Sequence, residues 1–347
     1  MAYINAPTAT FVDGFHRCDS YWYEGIADEG YPRSAPGADL GHATRDGVHQ
    51  TPWGFFPLYP WLIKGTSFCL GIGTRWSMFL WAWLFTALIP LVAYACFRSL
   101  APEPTAQWGV LALLCYPFGI YSHVHMTEGL YTVSLLLGWL SVRRGWKVVL
   151  AISTSALVLV RPNGAIMMLP ILVELVAWNK DPLIVQLQRP FKMLRAVWPL
   201  IFPTVCFVAY SGYQWHMTGT PFAFMEAEKG WGRHLSWPFL SFFKGGDVAT
   251  QFESWFTLLL IAVLAFIHRV LPLSQRLFMW IAVIFPLCSG TVSDMMRYSS
   301  VMFPIFLLLG QHLQAHRHRA QIIIGMVGLQ LIWFGLWLQQ IGGWLAC

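Results

Sequence analysis

Asp19 sits in the stretch of the chain richest in reactive side chains, His16 to Tyr31, which reads HRCDSYWYEGIADEGY. A carboxylate among aromatic residues, outside any hydrophobic run, can serve as a general base toward a hydroxyl. The same aspartate is also a natural helix N-cap, because its carboxylate can accept from the free amides of a first helical turn. Tyr23, Ile26 and Ala27 fall on one helical face, and Gly30 supplies a stop. Glu24 and Asp28 lie one turn apart on another face. Like charges at that spacing repel, so they want water or a shared cation. Two readings of Asp19 therefore stand side by side: the cap of a surface helix, or a carboxylate at the rim of a membrane-facing cavity.

Further along, Glu128 lies in YSHVHMTEGLY, at the start of an apolar segment. It is either a second candidate base or an N-terminal acid favoured by the helix dipole. His123 and His125, two apart, form a weak metal pair with no third ligand in view. Arg161 precedes Pro162 and Gly164, residues that break a helix and can expose amides and a guanidinium to a phosphate. The alternative is an interfacial arginine whose head reaches for water. Residues 216–233 read HMTGTPFAFMEAEKGWGR and mix Glu226, Glu228, Lys229 and Arg233 with Phe222, Phe224 and Trp231, as a surface for a partly lipidic ligand would. Arg297 opens a segment running to Phe303 and Pro304, and is either a membrane anchor or a cation for a lipid phosphate.

The elements that must position these residues are membrane helices. Of the 347 residues, 56% are hydrophobic and 11% charged, against about 25% charged in soluble domains. Ten candidate spans follow from hydropathy, at about 76–97, 106–122, 127–142, 147–161, 163–178, 196–216, 254–270, 277–291, 298–312 and 320–341. The segment before them, from Trp53 to Gly73, contains two prolines and Lys64 and reads as a helix lying along the membrane. Many of the 19 Trp and 25 Phe sit near the ends of apolar runs, as interfacial belts require. The net charge of +6 is scattered between spans, so no nucleic-acid partner is expected. The seven cysteines include no CxxC pair. Cys96, Cys115, Cys206 and Cys288 lie in apolar runs and read as small core residues, whereas Cys18 and Cys69 could pair in an oxidising compartment.

Loop charge sets the orientation. Arg98, Arg143, Arg144, Lys147, Lys180, Arg189, Lys192, Arg195, Arg269, Arg276, Arg317 and Arg319 share their loops with only Glu103 and Asp181. The remaining ten Lys and Arg face thirteen acids, and Glu174 alone sits within a span. The positive-inside rule places the first set in the cytoplasm. His316 to Arg319 then serves as a topology determinant. The loops bearing Asp19, Glu128, Arg161, residues 217–253 and Arg297 all fall on the other face. Met1 to Arg17 has no apolar core, so a polar segment of roughly fifty residues would have to cross with nothing to pull it. The expectation is an upstream span in the natural protein.

Taken in order, several motifs resemble those of the GPI mannosyltransferase II (PIG-V-like) family. They are Arg17-Cys-Asp19-Ser-x-Trp-Tyr23 with the following Gly-Tyr, Phe55-Phe-Pro-Leu-Tyr-Pro60, Thr127-Glu128, Arg161-x-Asn-Gly164, Thr218-Gly-x-Pro221 through Trp231-x-Arg233, and Arg297 before Phe303-Pro304. The match runs over nearly the whole chain. Cys18 stands where the family has Trp, and the family has a transmembrane helix ahead of its first loop.

The resemblance implies an all-α polytopic membrane protein, a C-type glycosyltransferase-like bundle of about ten transmembrane helices with a non-cytoplasmic first loop. Residues 1–75 would be that loop with its interfacial helix, and residues 76–347 the helical domain with a long loop at 217–253. The implied activity is transfer of mannose from a polyprenyl-phosphate donor to a lipid- or glycan-linked acceptor, with inversion. Asp19 would map onto the family's first-loop aspartate. Asp19 and Glu128 are the candidate catalytic residues, and Arg161, Arg233, Arg297, His125, Tyr23 and Trp22 the candidate substrate-binding residues. No metal or cofactor is expected, because arginines can neutralise the phosphate and the chain has no DxD pair. The protein would lie in a bacterial inner membrane, or in the endoplasmic reticulum membrane of a eukaryote. The rival class is a secondary transporter or lipid flippase, which would carry mid-span ionisable residues and repeated halves. Only Glu174 is mid-span, and the halves do not repeat. A third class is a non-catalytic subunit of a membrane assembly.

The charge pattern makes a direct prediction. Arg144, Lys192 and Arg317 should be cytoplasmic, and Asp19, Glu128, Lys229 and Arg297 should face the other side. Cysteine-accessibility labelling that put Lys229 and Arg144 on one side would overturn it.

Overall fold

The computed structural model describes residues 11–33, 50–178, 190–243 and 246–339. The Gly- and Pro-rich stretch at 34–49, the basic loop with Lys180, Asp181 and Arg189, and the end of the last expected span lie outside the described residues. So does the side chain of Lys192. All regular structure among the described residues is helical. The main helices are α1 (Ser20–Glu29), α2 (Leu58–Leu70), α3 (Thr74–Leu100), α4 (Glu103–Leu114), α5 (Glu128–Arg144), α6 (Lys147–Val160), α7 (Met168–Trp178), α8 (Ile201–Thr218), α9 (Val248–Ile267), α10 (Leu273–Leu287), α11 (Phe303–Ala315) and α12 (Arg319–Gln339).

Helix α1 buries Ser20, Tyr23, Ile26 and Ala27, and stops at Gly30, whose φ of 83° and N–H bond to the Ile26 carbonyl close it. It packs against α2, so the first segment shares one core with the bundle. Helix α5 is the axis of that core. It is buried on every face except at Leu137 and its last two arginines, and α3, α6 and α7 pack around it. A helix covered all round needs no amphipathic stripe, and α5 has none. Its charge still obeys the dipole, with Glu128 in the first turn and Arg143 and Arg144 in the last.

Each expected span contains a helix, but among the described residues only α3, α9 and α12 are long and apolar enough to cross a membrane. A crossing needs about 20 residues. Some of the others are short because the apolar run itself is short, and others because the chain breaks inside it. Cys115 to Pro117 ends α4 after 12 residues, and Met167 interrupts the segment that becomes the 11-residue α7. Helix α5 reaches 17 residues and α11 only 13. A bundle of ten full spans does not follow from these lengths. The outward faces of α9 and α12 are apolar and exposed, with Phe266, Leu331 and Ile324 among them, which is the surface lipid covers.

At the end of the bundle away from Glu128, Arg143 donates to the Ser99 carbonyl at 2.9 Å and pairs with Glu174 at 3.4 Å. The Ser274 hydroxyl donates to the other Glu174 oxygen at 2.5 Å. The one acid expected inside a span is thus neutralised, and it ties α3, α5, α7 and α10 together. Cys96 and Cys115 are buried free thiols, and Cys206 and Cys288 are free and partly exposed. Cys18 is disulfide-bonded while Cys69 is a free, exposed thiol, so the expected Cys18–Cys69 pair does not form.

Helices α4 and α11 approach most closely at two small residues. A Cβ on Gly310 would lie 2.5 Å from the Gly109 backbone nitrogen and would also strike the Thr105 carbonyl. Gly310→Val should therefore destabilise the protein by about 1–3 kcal/mol, the usual cost of overpacking. Gly325 has open space around its Cβ position, so Gly325→Val is the control. Equal melting temperatures for the two variants in detergent would overturn the packing argument.

Candidate functional site

Asp19 does not cap α1. Its backbone is already helical, at φ −57° and ψ −21°, and its side chain makes no capping bond. Oδ2 instead lies 2.7 Å from Nη1 of Arg297. The chain reaches this position through Cys18 at φ 58°, a left-handed conformation costly for a residue with a Cβ. Ser20, next along, donates its hydroxyl to the His125 carbonyl at 2.9 Å, and the Tyr23 hydroxyl meets Thr127 Oγ1 at 3.3 Å. The start of α1 is thus fastened to the turn that leads into α5.

Arg297 belongs to a short helix, Met295–Ser299, that begins at Asp294 with φ 70°. Asp294 and Cys18 are the non-glycine residues with positive φ among those described, and both adjoin this cluster. The guanidinium of Arg297 is 5% exposed and donates through Nε to Glu128 Oε1. Arg161 Nη2 donates to the same oxygen, and its Nε donates to Thr127 Oγ1 at 2.9 Å. Arg161 can reach it because α6 ends there in extended backbone, at φ −152° and ψ 150°. The turn that follows needs Gly164, whose Cβ position is filled by the Leu157 carbonyl. The Arg161 guanidinium lies over the rings of Tyr131 and Tyr298, 5.9 Å from each centroid. A second branch joins Arg233 Nη2 to Asp294 Oδ2 at 2.6 Å and Arg233 Nη1 to Glu228 Oε2 at 3.0 Å. Arg297 Nη1 and Asp294 Oδ1 are 3.9 Å apart, which links the branches.

This network forms part of the wall of a cleft of about 460 Å³. Asp19, Tyr23, Arg161, Arg233, Asp294 and Arg297 supply much of its polar lining, together with Glu228, and Val160, Ile166, Phe207, Phe224 and Phe285 much of its apolar wall. A pocket of this size with few convergent polar groups is the usual form of a small-ligand site. Five expected residues thus meet in one place: Asp19, Tyr23, Arg161, Arg233 and Arg297. Burial pushes the Tyr23 phenol up, and the Asp19 charge adds to that, so it stays a hydrogen-bond donor.

Three others do not line the cleft. Glu128 is fully buried behind the guanidiniums, where no substrate hydroxyl reaches it. His125 is fully buried beside Phe15, His16 and Phe79, and burial pushes its imidazole down to about 3. Its companion His123 meets Thr86 Oγ1 at 2.9 Å, which splits the HxH pair. Trp22 stands behind the wall, stacked on Phe55 at 5.7 Å and edge-on to Trp231 at 5.8 Å. Among the described residues no group of three or more His, Cys, Asp or Glu side chains is arranged to hold a metal ion.

Sequence reading missed Asp294 and Glu228 as partners of Arg233, and missed Glu253. The last is a buried acid in α9 whose Oε2 accepts from the Met296 N–H at 3.2 Å, bracing the helix that carries Arg297. A lone acid near the start of an apolar run was the available signal. The Glu24 and Asp28 repulsion is resolved separately. Arg75 Nε bonds Glu24 at 2.7 Å, His16 Nε2 lies 3.0 Å from it, and Thr74 donates to Asp28 at 2.5 Å. Burial alone would raise the Glu24 carboxyl, but His16 and Arg75 hold it at about 2.

Removing Arg297 leaves Asp19 and half of the Glu128 charge without a partner. Arg297→Ala should destabilise by about 3–5 kcal/mol, the cost of breaking a buried pair from one side. Arg297→Lys should recover little of it, because one ammonium cannot reproduce the forked contact with two carboxylates. Thermal unfolding of the purified variants checks this, and an Arg297→Ala protein as stable as the parent would refute it.

In comparisons with known proteins, no family model, no curated protein and no solved structure matches this chain.

Proposed function

We propose that the chain is a membrane glycosyltransferase that moves mannose from a polyprenyl-phosphate donor to a lipid- or glycan-linked acceptor, with inversion at the anomeric carbon. The observation that carries this reading is the cleft itself. It sets Asp19, held by Arg297, beside two further guanidiniums, with Asp294 and Glu228 paired to Arg233, and surrounds them with an apolar wall. A phosphate on a prenyl chain has that combination of charge and grease.

In this reading Asp19 is the base. Arg297 occupies Oδ2, and Oδ1 makes no bond to any described residue. The acceptor hydroxyl oxygen attacks C1 of the sugar from the face opposite the phosphate. The C1–O bond to phosphate breaks, the proton passes to Asp19, and the polyprenyl phosphate leaves with the bonding pair. Arg161 and Arg233 are the more exposed cations, at 11% and 21% of their side chains, and stabilise the leaving phosphate. Arg297 takes the role of orienting the base. Before donor binds, Glu228 satisfies Arg233, and at 27% exposure it is free to turn away when phosphate takes its place. The bonded state of Cys18, one residue before Asp19, supports a site on the non-cytoplasmic face, where disulfides persist. Loop charge supports the same face.

The test is transfer of labelled mannose from polyprenyl-phosphate mannose in membranes expressing the chain. Asp19→Asn should lower the rate by roughly 100-fold or more at normal expression, since the amide cannot take the proton. Arg161→Ala should raise the donor KM. No transfer above control membranes, or a fully active Asp19→Asn variant, would sink the reading.

A further inference from the structure

Residues 234–243, between Arg233 of the cleft and the start of α9, read HLSWPFLSFF and contain no Asp, Glu, Lys or Arg. In a water-facing loop such a run would hide its large side chains. Here they point outward, with Leu235 88%, Trp237 68% and Phe243 83% exposed. Phe239 and Leu240 are exposed as well. A contiguous apolar surface of this kind marks a place where something other than water is met.

The backbone of the segment is paired at several points. His234 N–H donates to the Ser289 carbonyl at 3.0 Å and Ser236 N–H to the Cys288 carbonyl at 2.8 Å, which pins the chain across the end of α10. Leu240 N–H bonds the Trp237 carbonyl at 3.0 Å, and the Ser241 hydroxyl bonds the Pro238 carbonyl at 2.9 Å. Each amide paired in this way leaves water at less cost than an unpaired one would. Past the exposed N-cap Asp247, apolar exposure resumes in the first turns of α9, where Phe252 and Trp255 are exposed. Among the described residues, α9 is one of three helices long and apolar enough to cross a membrane.

We propose that residues 234–243 lie in the boundary between lipid headgroups and acyl chains, as an interfacial strap that precedes α9 in the chain. Trp and Phe suit that layer, where an apolar ring is buried and a polar edge stays wet. Leu235 also lines the cleft, so the strap forms the wall between the cleft and the bilayer. The inference rests on α9 crossing a membrane and is independent of the transferase reading.

Spin labelling tests it. Leu235→Cys and Phe239→Cys are made in a Cys69→Ser background, labelled with a nitroxide, and reconstituted into phosphatidylcholine vesicles. The background signal is subtracted. Lys229→Cys, at an exposed side chain in the same loop, is the water-facing control. The strap labels should be severalfold more accessible to oxygen, relative to a water-soluble nickel chelate, than the label at 229. Strap labels as open to the chelate as the control would overturn the proposal. Labels shielded from both reagents would also overturn it, because a protein surface, such as a second copy of this chain, would then be the cover.

Discussion

Glu128 has no exposed surface, and its Oε1 serves Arg161 and Arg297 at once. Taking a carboxylate out of water costs several kcal/mol even after relaxation. Only close cations offset that, so the start of α5, the end of α6 and the Met295–Ser299 helix have to meet. Asp19 enters through Arg297 and brings α1 with it. Remote parts of the chain are therefore committed to one arrangement by a handful of charges. Removing one of them leaves a buried neighbour with fewer counter-charges, and this gives the cluster specificity whether or not it adds net stability.

The backbone is bent to deliver these charges. Cys18 and Asp294 both adopt the left-handed conformation with a Cβ in place, at an expected cost of about 1–2 kcal/mol each. One turn aims Asp19 and the other aims Asp294 and Arg297. Each is held by contacts beyond the turn itself. Cys18 is covalently tied by its disulfide, and Glu253 accepts from the amide of Met296. Strain that is over-determined in this way commonly accompanies pre-organisation of a site.

The two ends of the bundle solve the problem of buried charge differently. At the end bearing Arg143, one arginine, one glutamate, a serine hydroxyl and a backbone carbonyl close on one another, and little is left to offer a ligand. At the other end four carboxylates and three guanidiniums form an open chain beside a cleft, and Asp19, Arg161 and Arg233 each keep some exposure. Like groups in an apolar wall are the condition under which electrostatics act strongly on a bound molecule. The exposed hydrophobic strap at 234–243 lies next to this end, so the polar site and an exposed apolar loop are neighbours in sequence and in space.

Much of this was legible in the residues. Composition, hydropathy period and the capping glycine are local properties, and they gave the helical class, the buried face of α1 and its stop at Gly30. Charge counting grouped the loops of Asp19, Arg161, Arg233 and Arg297, and these residues do converge. That several apolar runs fall short of a full crossing was legible in their lengths, but the breaks after Leu114 and at Met167 were not. Nor were the roles within the cluster. Asp19 read as a cap or a base, and Glu128 as a base or a dipole-favoured acid, since each type is common at a helix start. Which carboxylate meets which guanidinium depends on contacts such as Arg297 to Glu128, 169 positions apart. Only packing brings such pairs together, and burial then decides which of them a ligand can reach.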